Sequence, residues 1–143
     1  MVEQGRSIGG LVDRTSFLDR PSIEDLRRKA EAGDAEAQTT LGVRVAQSGD
    51  PDARSSAERW FRLAAEQGLA RAKHNLGVLY FRDGGAPSAV AEAKRWFGEA
   101  ARDGWLASAH ILGLWLYEEG LIEEAKAQLE YGAKLGHGTR KTG

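Results

Sequence analysis

The chain has 143 residues, enough for one domain with its own core, and 41% apolar with 29% charged residues argues against disorder throughout. Twenty Lys and Arg against twenty-one Asp and Glu leave a net charge of -1, so no long-range field recruits nucleic acid or an anionic membrane, and neither is expected as a partner. The lack of cysteine excludes a disulfide framework and a thiolate metal site, and no apolar run reaches signal-peptide or membrane-spanning length, so the expected location is cytoplasmic.

In chain order, residues 1–21 are rich in Gly, Ser and charge, with Leu11, Val12, Phe17 and Leu18 as their few apolar handles, and read as a partly flexible segment. Ser22 can then cap a helix, with Asp25 at the return position of a capping box. A short helix is expected from about Ile23 to Ala32. Gly33 suits the left-handed residue beyond its end, and Asp34 can cap the next helix.

From Ala35 the sequence repeats. AEAQTTLG at Ala35, ARAKHNLG at Ala70 and LASAHILG at Leu106 each open a first helix. AERWFRLAAEQG at Ala57, AKRWFGEAARDG at Ala93 and the weaker AKAQLEYGAKLG at Ala125 each form a second helix, closed by Gly68, Gly104 and Gly136. Gly42 to Gly77 spans 35 positions and Gly77 to Gly113 spans 36, a period that fits two helices and two turns. The turns inside the pairs carry Gly49-Asp50-Pro51, Gly84-Gly85-Ala86-Pro87 and Gly120, with Pro51 suited to a first helical turn. The predicted solenoid covers residues 22–136, and residues 137–143 read as a disordered tail.

Small residues at fixed places imply close helix crossings. Gly42, Gly77 and Gly113 are expected to face Ala57, Ala93 and Ala125, letting the two helices of each pair approach. Trp60, Phe61, Trp96 and Phe97 read as core between neighbouring pairs, because aromatics repeated in register on a helix more often pack than stack on a ligand.

No short catalytic signature is present: no phosphate-binding G-x-x-x-x-G-K-S/T, no dinucleotide G-x-G-x-x-G, no H-E-x-x-H and no G-x-S-x-G. No enzyme activity and no cofactor is expected. Asp50, Asp52 and Glu58 lack the glycine and spacing of a calcium loop and read as helix-starting acids. His74 and His110 occupy the same place in successive units, but no carboxylate repeats beside them, which favours half-exposed inner-face histidines over metal ligands. His137 falls in the tail. Arg27-Arg28-Lys29 is flanked by acids and reads as a solvated helix face.

The paired signatures A-x-A-x-x-x-L-G and A-x-x-W-F-x-x-A-A-x-x-G resemble those of the Sel-1-like repeat family, a relative of the tetratricopeptide repeats, over roughly Ile23 to Gly136. The resemblance implies an all-α, right-handed solenoid of about three helical hairpins preceded by a short helix, serving as an adaptor or scaffold for protein or peptide partners. It departs from the family in the third unit. Gly113 to Ala125 is only 12 positions, against 15 and 16 in the earlier units, and Gln128, Leu129 and Gly132 replace Trp96, Phe97 and Ala100.

If first helices line a concave face as in that family, helical spacing places Arg71, His74, Val78, Phe81 and Arg82, then His110, Leu114, Tyr117 and Glu118, on a partner-binding groove. Ala107 and the first unit's Glu36, Thr39, Val43, Ala46 and Gln47 complete the face. A stripe of Ala37, Leu41, Val45, Ala72, Leu76, Tyr80, Ser108, Leu112 and Leu116 beside it is the core. The Lys and Asn with which some tetratricopeptide domains grip a peptide carboxylate are replaced here by His, Val and Leu, so an apolar helix or extended segment is the expected ligand. The alternative is self-assembly through terminal repeat faces, suggested by Ile111 and Trp115, where the first unit has Thr40 and Arg44.

Overall fold

The computed structural model describes residues 21–82 and 87–142, with side-chain surroundings through residue 135. The expectations for residues 1–20 and for the 84–86 turn lie outside the described residues. Within them are seven helices and no strand: α1 (Ile23–Glu31), α2 (Ala35–Ala46), α3 (Ala53–Glu66), α4 (Ala70–Phe81), α5 (Pro87–Arg102), α6 (Leu106–Glu118) and α7 (Ile122–Thr142). Each helix packs chiefly on its neighbours in sequence, so α1 is followed by the hairpins α2–α3, α4–α5 and α6–α7 in an all-α repeat solenoid.

Local chemistry sets the joints. The Asp25 backbone N–H donates to Ser22 Oγ at 3.1 Å, and the Ala37 N–H donates to Asp34 Oδ1 at 3.0 Å. Such caps contribute about 1 kcal/mol each. Gly33, Gly68 and Gly104 all have positive φ, at 103°, 95° and 98°. In each turn the next N–H reaches back five residues, Asp34 to Lys29, Leu69 to Ala64 and Trp105 to Ala100, which satisfies a helix-terminal carbonyl. Pro87 is the first residue of α5, where its missing N–H costs no helical bond, whereas Pro51 lies two residues before α3.

The end of α7 differs from expectation. Its backbone stays helical through Thr142, so Gly136 does not close it and the expected tail from 137 is helix. Gly33, Gly68 and Gly104 end their helices where a following helix turns back. Residues 137–142 carry no proline, and glycine alone costs a helix interior only about 1 kcal/mol.

The aromatic pairs divide their work between neighbouring units. Trp60 packs back onto Leu26 and Ala30 of α1 and Ala37 and Leu41 of α2, while Phe61, fully buried, reaches forward to Leu76 and Leu79 of α4. Trp96 likewise joins the cluster of the preceding unit, and Phe97 the next one, with Val78 and Leu112. Of the predicted core stripe, Ala37, Leu41, Ala72, Leu76, Ser108 and Leu112 are buried, whereas Val45, Tyr80 and Leu116, the last of the stripe on each helix, are only half-buried.

The close crossings, however, run glycine against aromatic ring, not glycine against alanine. A Cβ on Gly42 would lie 2.5 Å from Phe61 Cε1, and one on Gly77 would lie 2.7 Å from Phe97. The contact sits one helical turn beyond Ala57 and Ala93, because the ring needs the missing side chain's space to reach the next unit. At Gly113 the corresponding neighbour is Leu129, with the Ala125 carbonyl oxygen also near, at 3.5 Å.

A polar joint ties α3 to α4. Tyr80 donates its hydroxyl proton to Glu58 and accepts from Arg62 Nη2 at 2.6 Å, while Arg62 also donates to Glu58 at 3.1 Å. Burial pushes the Tyr80 hydroxyl up to about 12, helped by its hydrogen bond to the Glu58 carboxylate. Burial also tends to raise Glu58, but the hydrogen bonds from Tyr80 and Arg62 outweigh it and hold that carboxyl below its ordinary value.

Candidate functional site

Near the C-terminal end of α4 the surface opens into an apolar groove of about 490 Å³ between α4 and α6, floored by Phe97 of α5. Phe81, the last residue of α4, stands where the first unit has Ala46, so a large ring projects where that unit has a methyl. It is 55% exposed, and Leu114 across the groove is 59% exposed. Trp115 meets Phe81 edge-on, with ring centroids 5.1 Å apart at 77°, and lies 6.4 Å from the Phe97 ring. Lys94 Nζ sits 5.4 Å from the centre of the Trp115 ring. Arg82 and Glu118 complete the lining and place one charge of each sign beside the apolar floor.

Such a surface can bury apolar side chains and orient a ligand by two opposite charges. Among the described residues no group of three or more His, Asp or Glu is placed to hold a metal ion. No described helix is long and apolar enough to cross a membrane.

The nine groove residues expected from the sequence separate into two sets. Val78, Phe81, Arg82, Leu114 and Glu118 line the groove, and Tyr117 is exposed beside it without lining it. Arg71, His74 and Val78 are only 2%, 2% and 5% exposed, so the first two serve as joints between units and Val78 reaches the groove only as its buried wall. Arg71 pairs with Glu36 of α2. His74 Nδ1 is 2.8 Å from Ser108 Oγ of α6, and its ring is tilted against Phe97 and Trp105 at 5.6 and 6.0 Å. His110 is exposed and rests on α7, where a Cβ on Gly132 would fall 3.0 Å from its Cδ2. The two histidines thus have different neighbours despite their equal register. Neither forms the half-exposed inner-face pair that spacing suggests, because His74 is covered by the unit that follows it.

Ile111, Trp115 and Phe97 also line the groove, and the inner-face spacing did not include them. The signal for the first two was present in the sequence, since both are apolar where the first unit has Thr40 and Arg44. Phe97 carried no such signal, because its repeat register marks it only as core.

No family model matches the chain, and no curated protein does either. Among solved structures, the chain is similar to a protective antigen present in uropathogenic Escherichia coli strains that displays an SLR, or Sel1-like repeat, fold. The two share 34% sequence identity at a TM-score of 0.70 over 82% of this chain. The match spans 26% of the antigen's own length, about a quarter of it. The repeated Leu-Gly and Trp-Phe signatures, the three stacked hairpins that they build and this likeness together place the chain in the Sel-1-like repeat family.

Proposed function

We propose that the chain is a non-catalytic, cytoplasmic protein-interaction module, an adaptor or scaffold that holds an apolar segment of a protein partner in the groove between α4 and α6. The observation that carries this reading is the exposure of Phe81 and Leu114, at 55% and 59%, on either side of an apolar floor. Large apolar side chains held apart by a formed groove stay in contact with water until a ligand covers them. Interfaces of this kind draw most of their affinity from a few central aromatic and Arg residues, here Phe81, Trp115 and Arg82.

Selection of displayed random peptides on the wild-type protein, with counter-selection on a Phe81→Ala/Leu114→Ala variant, tests the proposal. The expected result is a set of peptides with apolar anchors that bind the wild type alone. Peptides that bind both proteins equally would move the site elsewhere.

A second reading has its own observation. Tyr117, Leu121 and Ile122, at the turn of the last hairpin, are 60%, 42% and 42% exposed, which suits association of two copies through that end. Sedimentation velocity over a wide concentration range separates the readings: a constant monomer mass removes the second and leaves the first intact.

A further inference from the structure

The backbone and charge of the groove between α4 and α6 select one kind of occupant, an inference that rests on the function proposed above. Its apolar lining is made of side chains that project from helices: Val78, Phe81, Ile111, Leu114 and Trp115, with Phe97 beneath. The N–H and C=O groups behind them are bonded within their own helices, and among the described residues there is no strand edge to offer others. An extended segment laid on this floor would bury backbone donors and acceptors with nothing to bond, which is costly. A helix arrives with its backbone already satisfied and meets the surface through side chains alone.

Charge then sets the polar flank of that helix. On the α4 wall stands a cation, Arg82. On the α6 wall Glu118 lines the groove, and the chain runs on from it into a turn where Leu121 and Ile122 are exposed and Glu123 and Glu124 open α7. Lys94 is 2.6 Å from Glu119 and answers that acid, while Lys126 comes only within 3.9 Å of Glu123. Glu118 and Glu124 are exposed, and among the described residues no cation lies within ion-pair distance of either. The negative ends of the α4 and α6 dipoles lie at the same end of the groove. We propose that the groove takes an amphipathic helix of a partner protein, which presses apolar side chains onto the floor and turns Lys or Arg toward Glu118 and the α6–α7 turn. A second copy of the chain fits this face less well, because two like surfaces related by a twofold axis bring the same acids together.

The test uses three synthetic peptides of about four helical turns. One has leucines at helical spacing with lysines along one flank, the second has glutamates in place of the lysines, and the third is the lysine peptide with a central proline. Each is titrated into the full-chain wild type, into Phe81→Ala/Leu114→Ala and into Glu118→Gln/Glu123→Gln/Glu124→Gln, with thermal melts recorded alongside. The lysine peptide should bind the wild type at least about tenfold more tightly than the glutamate peptide, and added salt or the triple Gln variant should remove most of that advantage. It should gain helical circular dichroism on binding, and the proline peptide should bind at least about tenfold more weakly. Equal affinities for the lysine and glutamate peptides, both lost in Phe81→Ala/Leu114→Ala, would overturn the basic occupant and leave the groove reading standing. Undiminished affinity of the proline peptide would overturn the helical occupant in the same way. Binding of the lysine peptide that survives the loss of Phe81 and Leu114, or no binding of it to the wild type, would overturn the proposal at this groove. Self-association of the wild type that competes with the lysine peptide would overturn it in favour of a second copy.

Discussion

The α4–α5 and α6–α7 hairpins are built on one register, yet equivalent residues meet different fates. Val78 is 5% exposed, and its counterpart Leu114 is 59% exposed. Phe97 is 1% exposed, whereas Leu129, in the same place on α7, is half-buried. The side chains differ little in polarity, so propensity does not explain the contrast. Position does: the α6–α7 hairpin covers Val78 and Phe97, while among the described residues nothing covers Leu114 to the same degree. In a solenoid, a residue's burial is decided as much by the next unit as by its own. The proposed groove lies at this joint, between the buried Val78 and Phe97 on one side and the exposed Leu114 on the other.

The largest expected effect that sharpens this comparison is on Phe97. Phe97→Ala should cost about 3–5 kcal/mol as it empties the joint between two units. Leu129→Ala should cost less than half as much. Urea midpoints of the two variants check the contrast, and equal losses would break it.

Next comes overpacking at the glycines. Gly77→Leu should destabilise by about 1–3 kcal/mol or more, although leucine is the better helix former, because its Cβ would lie 2.7 Å from a ring locked between units. Gly113→Leu meets the half-buried aliphatic Leu129, which has room to give, and should cost less in the same denaturation experiment.

The polar joints contrast in their pH response. Tyr80, Glu58 and Arg62 bind α3 to α4, while the next joint has Leu116, Lys94 and Gly98 at those places. Because folding raises the Tyr80 hydroxyl from 10.0 to about 12, its contribution is complete below the unfolded value and is lost as pH rises through the folded one. Thermal melts of the wild type should therefore show an alkaline loss over this window that Tyr80→Phe lacks. Glu58 has the opposite sign. Its lowered value adds stability above the ordinary 4.5, and that stability disappears as acid protonates the folded form.

The smallest effect concerns the ion pair between Lys73 Nζ and Asp103, 2.6 Å apart and partly exposed. Asp103→Ala should shift stability by less than about 1 kcal/mol in the same melts, as surface pairs generally do.

Much of this architecture was legible because it repeats. Ser22 and Asp34 cap their helices as their sequence context implies, and Gly33, Gly68 and Gly104 take the left-handed turns. What spacing could not supply was the neighbour across each joint. Helical periodicity put Arg71, His74 and Val78 on one inner face with Phe81, but neighbouring units bury the first three, with Arg71 against Glu36 of α2 and His74 against Ser108 of α6, and leave Phe81 more than half exposed. It also set Gly42 and Gly77 against alanines, since one-dimensional register does not show that a phenylalanine one turn further on occupies the gap. Ile111 and Trp115 were visible as an apolar excess in α6, yet only the packed helices show that Trp115 turns its edge toward Phe81. Nor does register show that Arg62 is bound to Glu58 and Tyr80 and approaches the Trp96 ring at 5.8 Å.

The groove itself is tested most directly by calorimetric titration of a peptide selected on the wild-type protein into three folded proteins: wild type, Phe81→Ala/Leu114→Ala, and Glu66→Ala at an exposed place on α3. With thermal melts recorded alongside, the double variant should bind at least about tenfold more weakly and Glu66→Ala as tightly as wild type. Equal affinity in the folded double variant would contradict the account and move the binding surface away from α4 and α6.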